Sequence, residues 1–222
     1  MTKKQKFDDL IQRIEVVRTQ SDQYNIINIV AVSKYSDTQD IQDFYDLGQR
    51  TFGENKVQDL KAKSDELIDL PLSWHFIGRL QKNKINQLID LNPTLTHSLD
   101  SLELATELNK RLAAKDKTMN TLLQINSSNE ISKAGVSIDK ARDIYQEIKE
   151  TCPNIKLKGV MSFGANTDNH KLIQKTFENT YKIYESLKTE GAKFCSMGMS
   201  NDFELAINCG SNMIRVGSVL FK

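Results

Sequence analysis

The sequence predicts a single (β/α)₈ barrel of the TIM type with one extra helix at its N-terminus. Three observations predict it. Short apolar segments alternate with amphipathic helical segments about eight times, no Pro/Gly/Ser-rich linker or change in composition divides the 222 residues, and no glycine-rich loop follows the first apolar segment. Alternation of this kind is typical of a parallel sheet covered by helices. An open doubly wound sheet is the alternative, and it usually carries the missing glycine-rich loop.

The N-terminal segment, about residues 3–24, has apolar residues at helical spacing, which predicts an amphipathic helix. These residues are Phe7, Leu10, Ile11, Ile14 and Val17. Because the helix precedes the first strand, we expect residues 1–25 to pack on the barrel as an extra element or to close its bottom. The whole chain, residues 1–222, then forms one domain.

Each predicted strand is a short apolar segment, and apolar residues three and four positions apart follow it. Eight such units in 222 residues fit a closed barrel with short loops. The predicted strands cover residues 27–32, 51–52, 74–77, 95–98, 121–125, 157–161, 194–197 and 213–216. The helical segments between them cover residues 38–49, 57–68, 83–91, 101–114, 138–150 and 169–190.

Composition excludes several classes of protein. The 30 basic and 29 acidic residues give a formal net charge of +1, so the charge balance does not indicate nucleic acid as a partner. No apolar stretch approaches the length of a membrane span, and the N-terminus lacks the apolar segment of a signal peptide. We therefore expect a cytoplasmic protein.

Cysteine and histidine are too scattered to predict a metal site or a disulfide framework. Three cysteines form no C-x-x-C pair, and the three histidines lie far apart in the sequence. We expect Cys152, Cys195 and Cys209 to be free thiols.

Polar residues follow several of the predicted strands. Lys34 comes directly after the first, in "IVAVSKYSD", and Asn55 follows the second. Arg215 lies inside the last one, in "MIRVG", where by itself it would indicate an ion pair with an acidic neighbour. In a parallel barrel the active site lies at the carboxyl ends of the strands. We therefore expect these side chains to meet at one mouth of the barrel.

The last two strands end in Gly/Ser corners. In "MGMSND", Gly198 permits a tight turn and Ser200 is suited to cap a helix that begins near Asp202. In "RVGS", Gly217 allows close approach of the backbone, and Ser218 offers a hydroxyl and an N–H. Phosphate sites in these barrels are frequently built from the loops after strands seven and eight. The two corners predict a phosphate-bearing ligand.

A lysine and a phosphate site at one mouth point to pyridoxal 5′-phosphate (PLP). A partly desolvated lysine amine becomes a nucleophile toward carbonyls, so Lys34 would form a Schiff base with the aldehyde. Arg215 would lie near the pyridine nitrogen, where an arginine makes the ring a weak electron sink. An aldolase-type barrel, with a substrate Schiff base on Lys34, also fits the lysine and the phosphate site, but no base deeper in the barrel is evident.

Several motifs together resemble one family. They are "AVSKYSD", "FGENKVQDL", "WHFIGRLQKNK", "HSLDSLELA", "KAGVS", "KGVMS", "SMGMSNDFELAI" and "IRVGSVLF". In this order they resemble the PLP homeostasis protein family, whose members are single-domain relatives of the alanine racemase N-terminal barrel (PLP fold type III). The resemblance runs from about residue 27 to the end of the chain.

The resemblance implies a role for each matching position. It implies a PLP-binding lysine at Lys34 and phosphate contacts from Ser200, Gly217 and Ser218. It also implies ring contacts from Asn55 and Met161, with Arg215 as the partner of the ring nitrogen. Three further positions would line the pocket wall: His75, Ile77 and Gly78.

The implied function is non-enzymatic: a monomer that buffers PLP or delivers it to PLP-dependent apoenzymes. An amino acid racemase of the alanine racemase type is the alternative. A two-base racemase needs a second proton donor opposite the lysine, which alanine racemases take from a tyrosine in a further domain. We expect no such domain here. Of the candidate tyrosines, only Tyr35 is expected near the mouth, and it adjoins Lys34 in sequence.

One segment departs from the family pattern. After "GVMS" the chain reads "FGANTDNHK", where many relatives carry a proline-containing stretch. We expect this loop, residues 162–170, to be able to cover the cofactor.

Overall fold

Strands and helices alternate in the described part of the computed structural model, which comprises residues 1–20, 26–128, 130 and 134–222. The strands are β1 (Asn28–Val32), β2 (Thr51–Glu54), β3 (Ser73–Phe76), β4 (Leu95–Leu99), β5 (Met119–Asn126), β6 (Val136–Ser137), β7 (Ile155–Ser162), β8 (Phe194–Ser196) and β9 (Met213–Val216). The helices are α1 (Lys3–Gln20), α2 (Thr38–Asp46), α3 (Val57–Glu66), α4 (Ile85–Leu91), α5 (Leu102–Ala114), α6 (Ala141–Thr151), α7 (His170–Leu187), α8 (Phe203–Asn208) and α9 (Ser218–Phe221).

Eight parallel strands close into a barrel. They run around the ring in the order β4-β3-β2-β1-β9-β8-β7-β5, and β5 pairs with β4 to close it. The predicted barrel is therefore confirmed, and the open doubly wound sheet is excluded. The two-residue strand β6, which the sequence did not predict, pairs in parallel with the carboxyl end of β5.

The barrel interior is a packed core rather than a pore. Alternate residues along each strand face inward and outward, and one compact apolar cluster comprises Val30, Leu95, Leu122, Met161 and Met213. Two larger apolar clusters lie between the strands and the surrounding helices. Because the core is filled, a ligand can enter only at a rim of the barrel.

Helix α1 lies in the outer layer of helices, packed against α2, α8 and α9. Strand β9 is followed by the four-residue helix α9, which is too short to cover its neighbours. Leu10, Ile14 and Val17 of α1 are buried in the cluster that also contains Ala31 of β1 and Ile214 of β9. The N-terminal helix thus covers the seam between the first and last strands. Residues 21–25, the end of the predicted helix, lie outside the described part.

The packing of α1 makes a prediction about stability. Leu10 is fully buried, so Leu10→Ala should lower the free energy of unfolding in urea by about 2–5 kcal/mol. Ile11→Ala on the same helix is the control, because Ile11 is 38% exposed, and its effect should be under about 1 kcal/mol. Equal effects of the two substitutions would contradict the placement of α1.

Candidate functional site

An open cavity of about 1180 Å³ lies at the carboxyl ends of the strands. The segments after β1, β2, β3, β7, β8 and β9 line it. Seven of the eight predicted binding residues are among them: Lys34, Asn55, Ile77, Ser200, Arg215, Gly217 and Ser218. The structure therefore brings residues from both ends of the chain to one mouth, as the strand-end pattern suggested.

Lys34 lies in the turn that follows β1. The strand ends at Val32, and the N–H of Ser36 donates to the carbonyl of Ser33 at 2.9 Å. The Lys34 side chain is exposed, and its Nζ lies 4.9 Å from the ring centroid of Tyr35. The amine is thus in contact with solvent at the mouth, rather than in the desolvated strand-end position that the sequence suggested.

A buried ion pair fixes the backbone just before Lys34. Lys63 Nζ donates to the Ser33 carbonyl and to Glu54 Oε1, each at 2.7 Å, and the Ser33 hydroxyl donates to the same carboxylate oxygen at 2.6 Å. Glu54 is completely buried, and its Oε2 has no hydrogen-bond partner among the described residues. Sequence reasoning missed this pair. The available signal was an acidic residue at the end of a buried strand, with a lysine in the following helix.

The two Gly/Ser corners are joined by the side chain of Ser200. Its Oγ accepts hydrogen bonds from the N–H groups of Gly217 at 3.1 Å and Val219 at 3.4 Å. The prediction that Ser200 caps a helix near Asp202 is wrong. Helix α8 begins at Phe203, and Ser200 instead links the loop after β8 to the first turn of α9. Ser200, Gly217 and Ser218 consequently form one corner of the cavity.

Arg215 is a buried cation held by uncharged acceptors. Its guanidinium donates to the Ser196 carbonyl at 2.9 Å, the Ser196 hydroxyl at 2.7 Å and the Ser162 carbonyl at 2.8 Å. Among the described residues no carboxylate lies within ion-pair distance, so the ion pair suggested by its sequence context does not form. Burial lowers the pKa of Arg215 to about 10, so the guanidinium keeps its charge at neutral pH.

The remaining predicted positions divide between the cavity wall and the core. Asn55, Ile77 and Gly78 line the cavity. An added Cβ at Gly78 would lie 1.9 Å from the Asn55 carbonyl oxygen, so glycine permits the close approach of these two segments. Met161 and His75 do not line the cavity: both lie buried in the barrel.

The loop after β7 forms one side of the mouth. Phe163, Asp168 and His170 all line the cavity, and the ability of this loop to cover the cofactor stays a prediction. Across the mouth, Asp202 also lines the cavity and accepts from the Met199 N–H at 2.6 Å. Burial raises the pKa of Asp202. Sequence reasoning did not assign His170 or Asp202, because neither stands directly at the end of a strand.

The described residues include no group of three His, Cys, Asp or Glu side chains arranged to hold a metal ion. Cys152, Cys195 and Cys209 are free thiols. Within the same described ranges, no helix has the length and apolar character needed to cross a bilayer.

Comparison with known proteins defines the class of this barrel. The family model of the alanine racemase N-terminal domain matches residues 7–222. The fold therefore belongs to the class of barrels that includes the N-terminal domain of alanine racemase.

Closer relatives narrow the class. A pyridoxal phosphate homeostasis protein from Helicobacter pylori (strain ATCC 700392 / 26695) is 52% identical over 99% of this chain and 98% of its own length. The chain belongs to the family of pyridoxal phosphate homeostasis proteins.

Two solved structures are similar in fold over almost the whole chain. An unknown protein from Bifidobacterium adolescentis matches with a TM-score of 0.93 and 30% identity, over 99% of this chain and 94% of that one. PipY of Synechococcus elongatus PCC7942, solved with PLP bound, matches with a TM-score of 0.80 and 30% identity, over 95% of this chain and 99% of that one.

The buried ion pair makes a prediction. Lys63→Met leaves the Glu54 carboxylate buried and unpaired, so the free energy of unfolding in urea should fall by about 3–5 kcal/mol. Lys61→Met on the same helix is the control, since Lys61 pairs with Asp65 at the exposed surface, where a loss below about 1 kcal/mol is expected. A large loss in the control, or none in Lys63→Met, would contradict the assigned network.

The buried histidines make stability depend on pH. Burial lowers the pKa of His75 to about 4, so the folded protein holds this ring neutral. In the unfolded chain its pKa returns to about 6.5. The contribution of neutral His75 to the free energy of unfolding is therefore complete above pH 6.5. It is lost as the pH falls toward 4, by about 3 kcal/mol in total. Urea unfolding measured from pH 7 to pH 4 should show this fall in the free energy of unfolding for the wild type. The fall should be smaller for His75→Gln. Identical profiles would show that His75 does not contribute.

Proposed function

We propose that this protein binds PLP covalently through Lys34 and acts, as a monomer and without catalysis, in buffering or delivering the cofactor. The observation that carries the proposal is the meeting of three groups on one cavity: the Lys34 amine, the Ser200–Gly217–Ser218 corner and the Arg215 guanidinium. An aldehyde, a phosphate and a ring nitrogen are the complementary groups of PLP. The names of its relatives support the same cofactor.

The corner of the cavity suits a phosphate. The Ser200 Oγ accepts hydrogen bonds from two backbone N–H groups, so its own hydrogen can point to an anion. Ser218 adds a second hydroxyl and a backbone N–H at the same place. At Gly217 an added Cβ would lie 3.1 Å from the Val32 carbonyl oxygen, so glycine keeps this corner open.

The permanent charge of Arg215 favours binding of the cofactor over catalysis with it. When bound, PLP supplies an electron sink whose strength depends on protonation of its ring nitrogen. A permanently charged guanidinium disfavours a proton on that nitrogen, which weakens the sink. Asn55 and Ile77 line the wall where they would contact the ring, and Met161 would support the site from beneath.

The exposure of Lys34 also supports a carrier. Delivery requires that a recipient, such as a PLP-dependent apoenzyme, can reach the amine to which the cofactor is attached. Lys34 lies at the solvent-accessible mouth. A deeply enclosed lysine would favour catalysis with a sequestered intermediate instead.

The second candidate is a racemase, which the alanine racemase family model favours. A two-base reaction needs a proton donor on the face opposite the lysine. Of the tyrosines in the described residues, only Tyr35 lines the cavity, and it adjoins Lys34 in the same turn. The imidazole of His170 and the carboxylates of Asp40, Asp168 and Asp202 also line the cavity and are able to exchange a proton.

Borohydride trapping tests the attachment. Purified protein incubated with PLP should turn yellow, and borohydride should discharge the colour and leave the label on the peptide that contains Lys34. Lys34→Ala should abolish labelling, while Lys56→Ala, at another exposed lysine, should not. A wild-type protein that takes up no PLP would refute the proposal.

Racemase activity is tested on the loaded protein. We expect no conversion of L-alanine or other L-amino acids to the D-enantiomer beyond that of free PLP. Turnover at an enzyme-like rate that requires Lys34 and either His170 or Asp202 would refute the carrier proposal and support a racemase.

A further inference from the structure

A line of buried polar groups crosses the interior of the barrel. It comprises Arg215 of β9, Ser196 of β8, His97 of β4 and His75 of β3, none of which is more than 5% exposed. The interior of such barrels is usually filled by branched apolar residues. Buried polar groups are tolerated there only if they form hydrogen bonds with one another. An unpaired buried polar group lowers the stability of the folded protein by about 1–3 kcal/mol.

Successive members of the line are in hydrogen-bond contact. The Arg215 guanidinium donates to Ser196 Oγ at 2.7 Å. Ser196 Oγ lies 3.3 Å from His97 Nδ1, and His97 Nε2 lies 3.0 Å from His75 Nδ1. The contact between Ser196 and His97 spans the lumen, since β8 and β4 are not neighbours in the ring.

We assign the direction of these bonds by giving each buried donor an acceptor. A guanidinium only donates, so Ser196 Oγ accepts from Arg215, and among the described residues the acceptor within reach of the Ser196 hydroxyl hydrogen is His97 Nδ1. His97 must then carry its proton on Nε2 and donate it to His75 Nδ1. Burial, followed by electrostatic repulsion from Arg215 and from any proton on His75, lowers the pKa of His97 well below its usual value, which keeps the ring neutral and able to accept.

This direction matters because no carboxylate in the described part of the chain lies within ion-pair distance of Arg215. Each group in the line presents its acceptor atom toward the guanidinium and donates to the next group, and aligned bonds of this kind polarise and strengthen one another. The line thus stabilises a buried charge and restricts rotation of the guanidinium about its terminal bonds. Phe163, whose ring centroid lies 4.9 Å from Arg215 Cζ, packs on one face of the group.

We propose that Ser196 and His97 are positioning residues, which hold Arg215 in a single orientation toward the cavity. The consequence for the ring nitrogen of PLP rests on the function proposed above, but the orientation of the guanidinium does not. A group held rigidly before its ligand arrives loses less entropy on binding than a mobile one.

The orientation can be measured without PLP, by NMR of the arginine side chains of the full chain. Wild type should give separate, slowly exchanging signals for the two terminal nitrogens of Arg215, assigned by their absence in Arg215→Lys. His97→Leu, which removes the acceptor, should merge them. His97→Asn is the matched control, since asparagine has nearly the shape of leucine but keeps an oxygen near the Nδ1 position, and it should leave the signals separate.

Release of PLP gives the second measurement. His97→Leu and Ser196→Ala should release PLP about fivefold faster than wild type, the equivalent of one hydrogen bond. The control is Thr121→Val, at a buried hydroxyl that has no hydrogen-bond partner within the described ranges, and it should not change the rate. If His97→Leu does not fold, Ser196→Ala carries both measurements.

The outcomes separate the two proposals. Unchanged Arg215 signals in His97→Leu or, where that variant does not fold, in Ser196→Ala would overturn the positioning role, as would release rates equal to wild type. The positioning role would also be overturned if His97→Asn and His97→Leu merged the Arg215 signals and accelerated PLP release to the same extent. That result would indicate that His97 has a purely structural role. A wild type that binds no PLP but shows the predicted NMR changes would refute only the proposed function.

Discussion

Parallel closure of the sheet is the constraint on which the site depends. Because every strand runs in the same direction around the ring and β5 pairs with β4, the segments that follow the strands all emerge at one rim. Six of those segments reach one cavity. Residues separated by most of the chain, such as Lys34 and Ser218, therefore meet without any long loop. The apolar core beneath them closes the floor, so that the chemistry is confined to the rim.

Two cations near this rim are accommodated in opposite ways. Lys63 is paired with a completely buried carboxylate, and the pair also bonds to the backbone that precedes Lys34. Arg215 is surrounded by carbonyls, a hydroxyl and, through that hydroxyl, two neutral histidines. An ion pair of this kind contributes little net stability compared with apolar packing. Its main effect is to fix the backbone before Lys34, whereas the groups that accept hydrogen bonds from Arg215 are all uncharged.

Strand-to-helix alternation was sufficient to predict the fold, because hydrophobic periodicity is local and each strand carries its own signal. It was also sufficient to predict which strand ends carry polar groups, and hence most of the cavity wall.

The sequence did not predict contacts between residues that lie far apart along the chain. The bond from Gly217 to Ser200 replaced the expected helix cap, since the partner lies seventeen residues away in sequence. The pairing of Glu54 with Lys63 and the line through His97 likewise link different elements, and no periodicity reports such contacts. The exposure of Lys34 depends on the turn after β1, whose geometry its sequence does not specify.

The position of α1 has a consequence for how this chain is made. Arg13 of α1 bonds to Glu204 at 2.9 Å across 191 positions, and Lys6 bonds to the carbonyl of Lys222 at 2.7 Å. During synthesis the helix leaves the ribosome well before its binding surface on α8 and α9. Contacts so distant in sequence form slowly, and an apolar surface exposed in the meantime is prone to aggregation. The apolar stripe of Leu10, Ile14 and Val17 must therefore stay exposed, or be shielded by a chaperone, until the last strand is available to receive it.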